Sequence, residues 1–474
     1  MRIGLTGTWR IDGPVSRLNY RPSLQPMRNQ LRLLRDVSAL ILIACTWRLW
    51  FAASDFPAVP FFSFLEPVSR TVDPILSGVL VVALLIDTFL AANRVARGRA
   101  FVRSVRVEQG CDLTFVALAV ALILLNQHCL QPWMYHFLIL TPLLWPQSSK
   151  SRISVDEVGS AESTESGWNE AFSLNAILWL TASIYFWSAW SKLDASFLQT
   201  HGPRFVGAIC DAAGISTQFW TDRTWAFAAA ALPIGELIVG VALLFRGTRG
   251  VTLCGSLLMH LLLMIAVGPW GLNHNAGVLV WNVFFIVQNV VLLVAVRQAG
   301  ANAGLHSGEY TTETSTTGQV SCARRRGATV VLLVGVVLFP VLRSVDCCDT
   351  WPAWAVYASS PARVLVQVRE DSVDQLPESL VPYVEPRQIN DGWSWLRIDL
   401  WSLNATGTPI YPEDRFQLGV ARSVARNFND YGHVRIIYEY ESDRWTGIRE
   451  RTNVHGDAEI AESACRFRFN STSR

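Results

Sequence analysis

Lys192 closes the segment Tyr185-Phe-Trp-Ser-Ala-Trp-Ser-Lys-Leu-Asp194, at the end of an apolar run long enough to cross a membrane. A primary amine at that depth is costly unless it is paired, reaches the interface or takes part in proton chemistry. At helical spacing Thr181, Tyr185, Ser188 and Lys192 share one face, so the amine ends a polar stripe turned away from lipid. The chemistry open to such an amine is general-base proton abstraction. The plainer alternative is a lysine whose stem lies in lipid while its head snorkels to water. Glu236, in Ala231-Leu-Pro-Ile-Gly-Glu-Leu-Ile238, sets a carboxylate in mid-span, where it must be neutral, paired or facing water. It could keep Lys192 or His260 charged, or itself be protonated. Asp87 raises the same question in an earlier span. Thr252, Ser256 and His260 recur every four residues, and Asn275, Asn282 and Asn289 every seven, so each set forms one helix face. The asparagine seam is read as interhelical hydrogen bonding.

The elements that must position these groups follow from composition. Hydrophobic residues make up 51% and charged residues only 16%, against about 25% in soluble domains. With a mean hydropathy of +0.27, the chain reads as a mainly α, polytopic transmembrane bundle in contact with the lipid bilayer. Hydropathy suggests about nine spans, near 36–54, 75–92, 111–128, 133–146, 172–190, 225–245, 250–268, 274–296 and 327–343. The third and fourth leave little room for a loop between them and are expected to form a bent hairpin. Residues 1–35 are rich in arginine and lack an apolar stretch, so they read as a basic cytoplasmic tail rather than a cleavable signal. Arg94 to Arg106, Lys150 and Arg152, Arg246 and Arg249, and Arg297 with Arg324 to Arg326 then fall in cytoplasmic loops. An odd number of spans puts the C-terminal region on the extracytoplasmic side. The protein is thus expected to be an integral multi-pass membrane protein, of the plasma or inner membrane in a bacterium, with Asn126, His128, Lys192 and Asn275 gathered at the outer end.

Residues 36–297 form the bundle in this reading, 298–326 a flexible polar cytoplasmic linker, 327–343 the final span and 344–474 a small extracytoplasmic α+β domain. Within that domain Arg363–Arg369, Trp393–Trp401 and Val434–Tyr440 alternate as half-buried strands, and Pro412–Asn427 reads as a helix with acidic residues at its start. The tryptophans of the domain read as core or membrane-interface anchors. The nine cysteines show no metal-ligand spacing, and no metal is expected. Cys347, Cys348 and Cys465 would face an oxidising compartment and admit one disulfide. A net charge of +2 gives no reason to expect nucleic acid, and no phosphate loop or nucleophile elbow is present.

The Tyr-Phe-Trp-Ser-Ala-Trp-Ser-Lys-Leu-Asp segment with Phe197 after it resembles the corresponding segment of vitamin K-dependent gamma-carboxylases and their bacterial relatives, the HTTM family. Asn126-Gln-His128 resembles that family's Asn-Asn-His element, and the order of bundle, later span, aromatic stretch Trp351–Tyr357 and external domain also agrees. The resemblance implies a quinol-dependent carboxylase and epoxidase, a lyase with Lys192 as base and His128 assisting. It also implies vitamin K hydroquinone or menaquinol as the lipid-soluble quinol and an extracytoplasmic protein or peptide as substrate. Tyr185, Ser188, Trp190, Asn126, Glu236, His260 and Asn275 are the expected quinone- and substrate-binding residues. The sequence departs from the pattern in carrying Ser191 where carboxylases often have a second lysine, and its external domain of about 130 residues is small for a docking surface. Two other classes stay open: a DoxX-like quinone- or thiol-redox membrane partner relying on the external cysteines, and a non-enzymatic scaffold that displays the C-terminal domain.

Overall fold

The structure, a computed structural model, describes residues 25–97, 105–145, 162–304, 327, 329–345, 347–385, 392–426, 428 and 431–474. It is mostly helical. In chain order the helices are α1 (Gln25–Cys45), α2 (Trp47–Trp50), α3 (Val72–Arg97), α4 (Val105–Leu125), α5 (Pro132–Leu143), α6 (Glu162–Lys192), α7 (Ala195–Gln199), α8 (His201–Ala212), α9 (Asp222–Ala242), α10 (Arg249–Val267) and α11 (Ala276–Gly304). A shorter apolar helix, α12 (Thr329–Val345), follows, its last seven residues wound as a 3-10 helix.

Among the described residues six helices are long and apolar enough to cross a membrane: α3, α4, α6, α9, α10 and α11. The other three expected spans fall short for different reasons. Helix α1 has the length but carries Arg28, Arg32, Arg35 and Asp36. Helix α5 has 12 residues, about 18 Å of rise against a hydrocarbon core of about 30 Å. The expected bent hairpin is present as α4, one 3-10 turn (Gln127–Cys129) and α5. In the bundle α6 packs on α9, α10 on α11, and α1 lies against both α3 and α11.

Two expected boundaries are corrected. Residues 25–35 are not tail but the first turns of α1, and Arg32 and Arg35 are buried in the bundle; residues 1–24 lie outside the described residues. The linker begins later than expected because α11 continues to Gly304, and most of 298–326 lies outside the described residues.

The C-terminal region builds a five-stranded sheet in the order β2-β3-β1-β4-β5, antiparallel throughout. Its strands are β1 (Arg363–Arg369), β2 (Val384–Glu385), β3 (Trp393–Leu396), β4 (Val434–Glu439) and β5 (Arg451–His455). Helices α13 (Ile398–Thr406), α14 (Asp414–Ala425) and α15 (Gly456–Ala464) complete it, with α14 packed on β1 and β4. The expected strand over Trp393–Trp401 is half right. Alternation ends at Leu396, and from Ile398 the buried positions Ile398, Trp401, Ser402 and Thr406 follow helical spacing, so α13 replaces the second half. Gly407, at φ +79°, ends that helix in the left-handed conformation open to glycine.

Candidate functional site

The stripe on α6 faces inward. Thr181, Tyr185, Ser188 and Lys192 are all buried, and Lys192 is only 9% exposed. Its ammonium donates to the Ser188 hydroxyl at 2.7 Å and to Glu236 Oε2 of α9 at 2.7 Å. Glu236 is equally buried. The close approach of the two helices depends on Gly240, one turn beyond Glu236. A Cβ there would stand 2.9 Å from the backbone nitrogen of Phe186 and 3.1 Å from the carbonyl oxygen of Ala182. Glycine lets α9 press its backbone onto α6, and the short gap brings the carboxylate to the amine.

A second polar group adjoins the pair. The Tyr185 hydroxyl lies 2.9 Å from His260 Nε2 and accepts from Asn289 Nδ2 at 2.8 Å, while His260 Nδ1 lies 3.0 Å from Asn282 Oδ1. Asn282 donates its amide to the Val278 carbonyl and offers Oδ1 as an acceptor, so His260 Nδ1 donates to it and Nε2 faces the Tyr185 hydroxyl. Tyr185, Ser188 and Lys192 lie on one face of α6, so the two groups follow one another along that face, with partners from α9, α10 and α11. The His260 ring stacks on Phe285 at 5.0 Å, and the opposite neighbour of that phenylalanine in the aromatic cluster is His136 at 5.2 Å. Asn289 Oδ1 is buried with no hydrogen-bond partner among the described residues, an acceptor available to a hydroxyl donor.

Lys192, Ser188, Tyr185, Glu236 and His260 therefore come together, with Asn282 and Asn289 of the seam. The other expected residues go elsewhere. Asn126 caps the 3-10 turn through the backbone nitrogen of His128. His128 Nε2 donates to the Pro409 carbonyl at 2.8 Å and stands 2.9 Å from the Thr408 hydroxyl, with Phe56 and Phe416 around the ring. No hydrogen bond or ring contact among the described residues joins it to Lys192. Burial pushes its imidazole down to about 4, so it stands neutral. Its neighbour Gln127 accepts from Arg415 and donates to the carbonyls of Pro60 and Asn470. The Asn-Gln-His element thus seats the C-terminal region on the bundle. Trp190 is 46% exposed on the outside of α6 beneath the Arg444 guanidinium, and Asn275 stands before α11 with its carbonyl accepting from Val278. Cys347, Cys348 and Cys465 are free thiols, so the disulfide admitted by the sequence is not formed; Cys347 instead accepts from Arg468.

Asp87 answers its question by pairing. It receives Arg32 at 2.8 Å and Arg35 at 2.8 Å, and the same arginines reach Asp112 at 2.9 and 3.0 Å, in a buried network extended by Asp36 and by Arg94 with Glu108. Arg32 and Arg35 fall in the expected cytoplasmic tail, whereas the structure pairs them with buried carboxylates. The signal for the network was the pair of spacings Arg32/Arg35 and Glu108/Asp112, each of which keeps like charges on one helix face. Charges placed so in apolar helices need partners from neighbouring ones.

Neither a protein-family model, nor a curated protein sequence, nor a solved structure matches this chain, so the arrangement of side chains carries the functional reading by itself.

Proposed function

We propose that the chain is a multi-pass membrane enzyme that deprotonates a lipid-soluble quinol at the Lys192–Glu236 pair, in the manner of the carboxylase-like family its α6 motif resembles. The observation that carries this reading is the buried 2.7 Å contact between amine and carboxylate beside the Tyr185–His260 group. An ion pair of this kind has one vacant proton position, on the carboxylate. Lys192 can take the proton of a quinol hydroxyl while passing one of its own to Glu236: an O–H bond of the substrate breaks, an N–H forms, and the displaced proton ends on the carboxylate. The acceptor Asn289 Oδ1 suits a ligand that brings a hydroxyl donor. Oxygen and carbon dioxide would then serve as co-substrates for epoxidation and for carboxylation of an external peptide.

In this reading His260, not His128, is the imidazole that works with Lys192. His128 is already committed to the contact with Pro409. The topology proposed with it keeps the N-terminus cytoplasmic and counts α1, the α5 hairpin arm and α12 as membrane-embedded, which leaves the sheet on the outer side beside the open end of the site. Purified protein given menaquinol or reduced vitamin K, oxygen and bicarbonate is expected to form the quinone epoxide. Absence of epoxide with every quinol would remove the reading.

A further inference from the structure

The loop between β4 and β5 is built as a rigid clasp. Asp443 Oδ1 accepts from the backbone nitrogens of Trp445 and Thr446 at 3.1 and 2.8 Å and from the Thr446 hydroxyl at 2.8 Å. The backbone nitrogen of Asp443 donates to the Ile448 carbonyl, and Gly447, at φ +72°, closes the turn by donating back to Asp443. The clasp grips the end of α6. Arg444 donates to the carbonyls of Leu193 and Trp190 at 3.1 and 2.9 Å, its guanidinium lies 4.1 Å over the Trp190 ring, and its own carbonyl accepts from Ala195 at 2.8 Å. Such an arginine satisfies helix carbonyls that would otherwise lack a donor.

With its backbone committed in this way, the loop turns two large apolar side chains outward: Trp445 is 82% exposed and Ile448 is 69% exposed. We propose that this loop is a membrane-interface anchor, with Trp445 and Ile448 entering the boundary between headgroups and acyl chains beside the end of α6. The depth is set by the grip, because α6 is a candidate span ending at Lys192 and the loop is bonded to its last carbonyls. Trp190 on the same end is exposed as well, and so is Trp270 just after α10, whose end is level with that of α6 through the Tyr185–His260 contact. Aromatic side chains concentrate at this level of a bilayer, where a flat ring can be apolar on its face and polar at its edge. Two side chains on one turn fall well short of the roughly 800 Å² per partner of a stable protein interface, which argues for lipid as the occupant. The anchor would fix the end of the helix that bears Lys192, a role separate from the proton chemistry proposed above.

The test uses the full chain in phosphatidylcholine nanodiscs containing a lipid with a photoactivatable diazirine in its acyl chain, with adducts mapped by mass spectrometry. Adducts are expected on the peptide containing Trp445 and Ile448 as well as on the peptide containing Trp190. In Trp445→Ser/Ile448→Ser the loop adducts should fall several-fold while those at Trp190 persist, and Trp445→Phe/Ile448→Leu should restore them. A loop free of lipid adducts while Trp190 is labelled would overturn the proposal, as would cross-linking of the loop to a second copy of the chain in place of lipid.

Discussion

At the scale of single residues, the polar stripe of α6 was legible because helical spacing alone puts Thr181, Tyr185, Ser188 and Lys192 together. The partner of Lys192 was not. Glu236 and His260 were both open choices, since the register between two helices depends on how closely their backbones approach, and nothing in the spacing of one helix reports that. The structure chooses Glu236 for the direct contact and leaves His260 to Tyr185 and Asn282. Removing one member of a buried pair strands the other charge. Glu236→Gln is therefore expected to lower stability by about 3–5 kcal/mol, measured by thermal unfolding in detergent micelles. Lys192→Met/Glu236→Leu should recover most of that stability without recovering activity. A Glu236→Gln protein that melts with the wild type would show that the pair contributes no net stabilisation.

Helices and strands fared unevenly for reasons that can be named. The strand Arg363–Arg369 is legible because Val364, Val366 and Val368 recur at period two between two exposed arginines, although Leu365 and the buried Gln367 fill the positions between them. Trp393–Trp401 reads as a strand because Trp393, Trp395, Arg397 and Asp399 keep a rough period of two, whereas from Ile398 burial follows helical spacing and Asp399 favours the first turn of a helix. Hydropathy registers α1 and α5 as crossings, whereas by length and composition neither qualifies: α1 carries a buried ionic network and α5 has 12 residues. At this scale the close approach of α6 and α9 gives a sharp test. Gly240→Val places carbon against the backbone of Phe186 and Ala182, which cannot rotate aside as a side chain would. Overpacking of this kind costs about 1–3 kcal/mol, and here it must also separate Glu236 from Lys192. The expected result is a lower melting temperature together with the activity loss of a Lys192 variant. Gly235→Ala, at a position with open space around it, serves as the control and should change neither.

Considered as a whole, the chain joins two parts through the Asn126-Gln-His128 turn. Gln127, His128, Arg415 and the segment from Asn470 to Arg474 make the junction, with Arg415 also paired to Asp349 and Arg474 paired to Asp73. The sequence showed the motif but not this use of it, because the residues it meets lie almost 300 positions away. Two buried groups make the junction sensitive to pH in opposite directions. His128 is held down to about 4 by burial, so its contribution is complete above the unfolded value near 6.5 and is lost as pH falls through 4. Glu413, next to Arg415, is pushed up to about 7 by burial and then by the charge of Asp349. Its contribution is complete below about 4.5 and is lost as pH rises through 7. The two trends offset one another in the wild type. Glu413→Gln should leave stability that rises between about pH 4 and 6.5, and His128→Asn stability that falls between about pH 4.5 and 7, both checked by urea unfolding across the range.

The proposed chemistry is most directly tested by quinone epoxide formation from menaquinol or reduced vitamin K by the wild type, Lys192→Ala and His128→Asn proteins in nanodiscs with oxygen and bicarbonate. Epoxide is expected from the wild type, none from Lys192→Ala, and a near wild-type rate from folded His128→Asn. Equal epoxide yield from wild type and Lys192→Ala would contradict the assignment of the buried amine as the base.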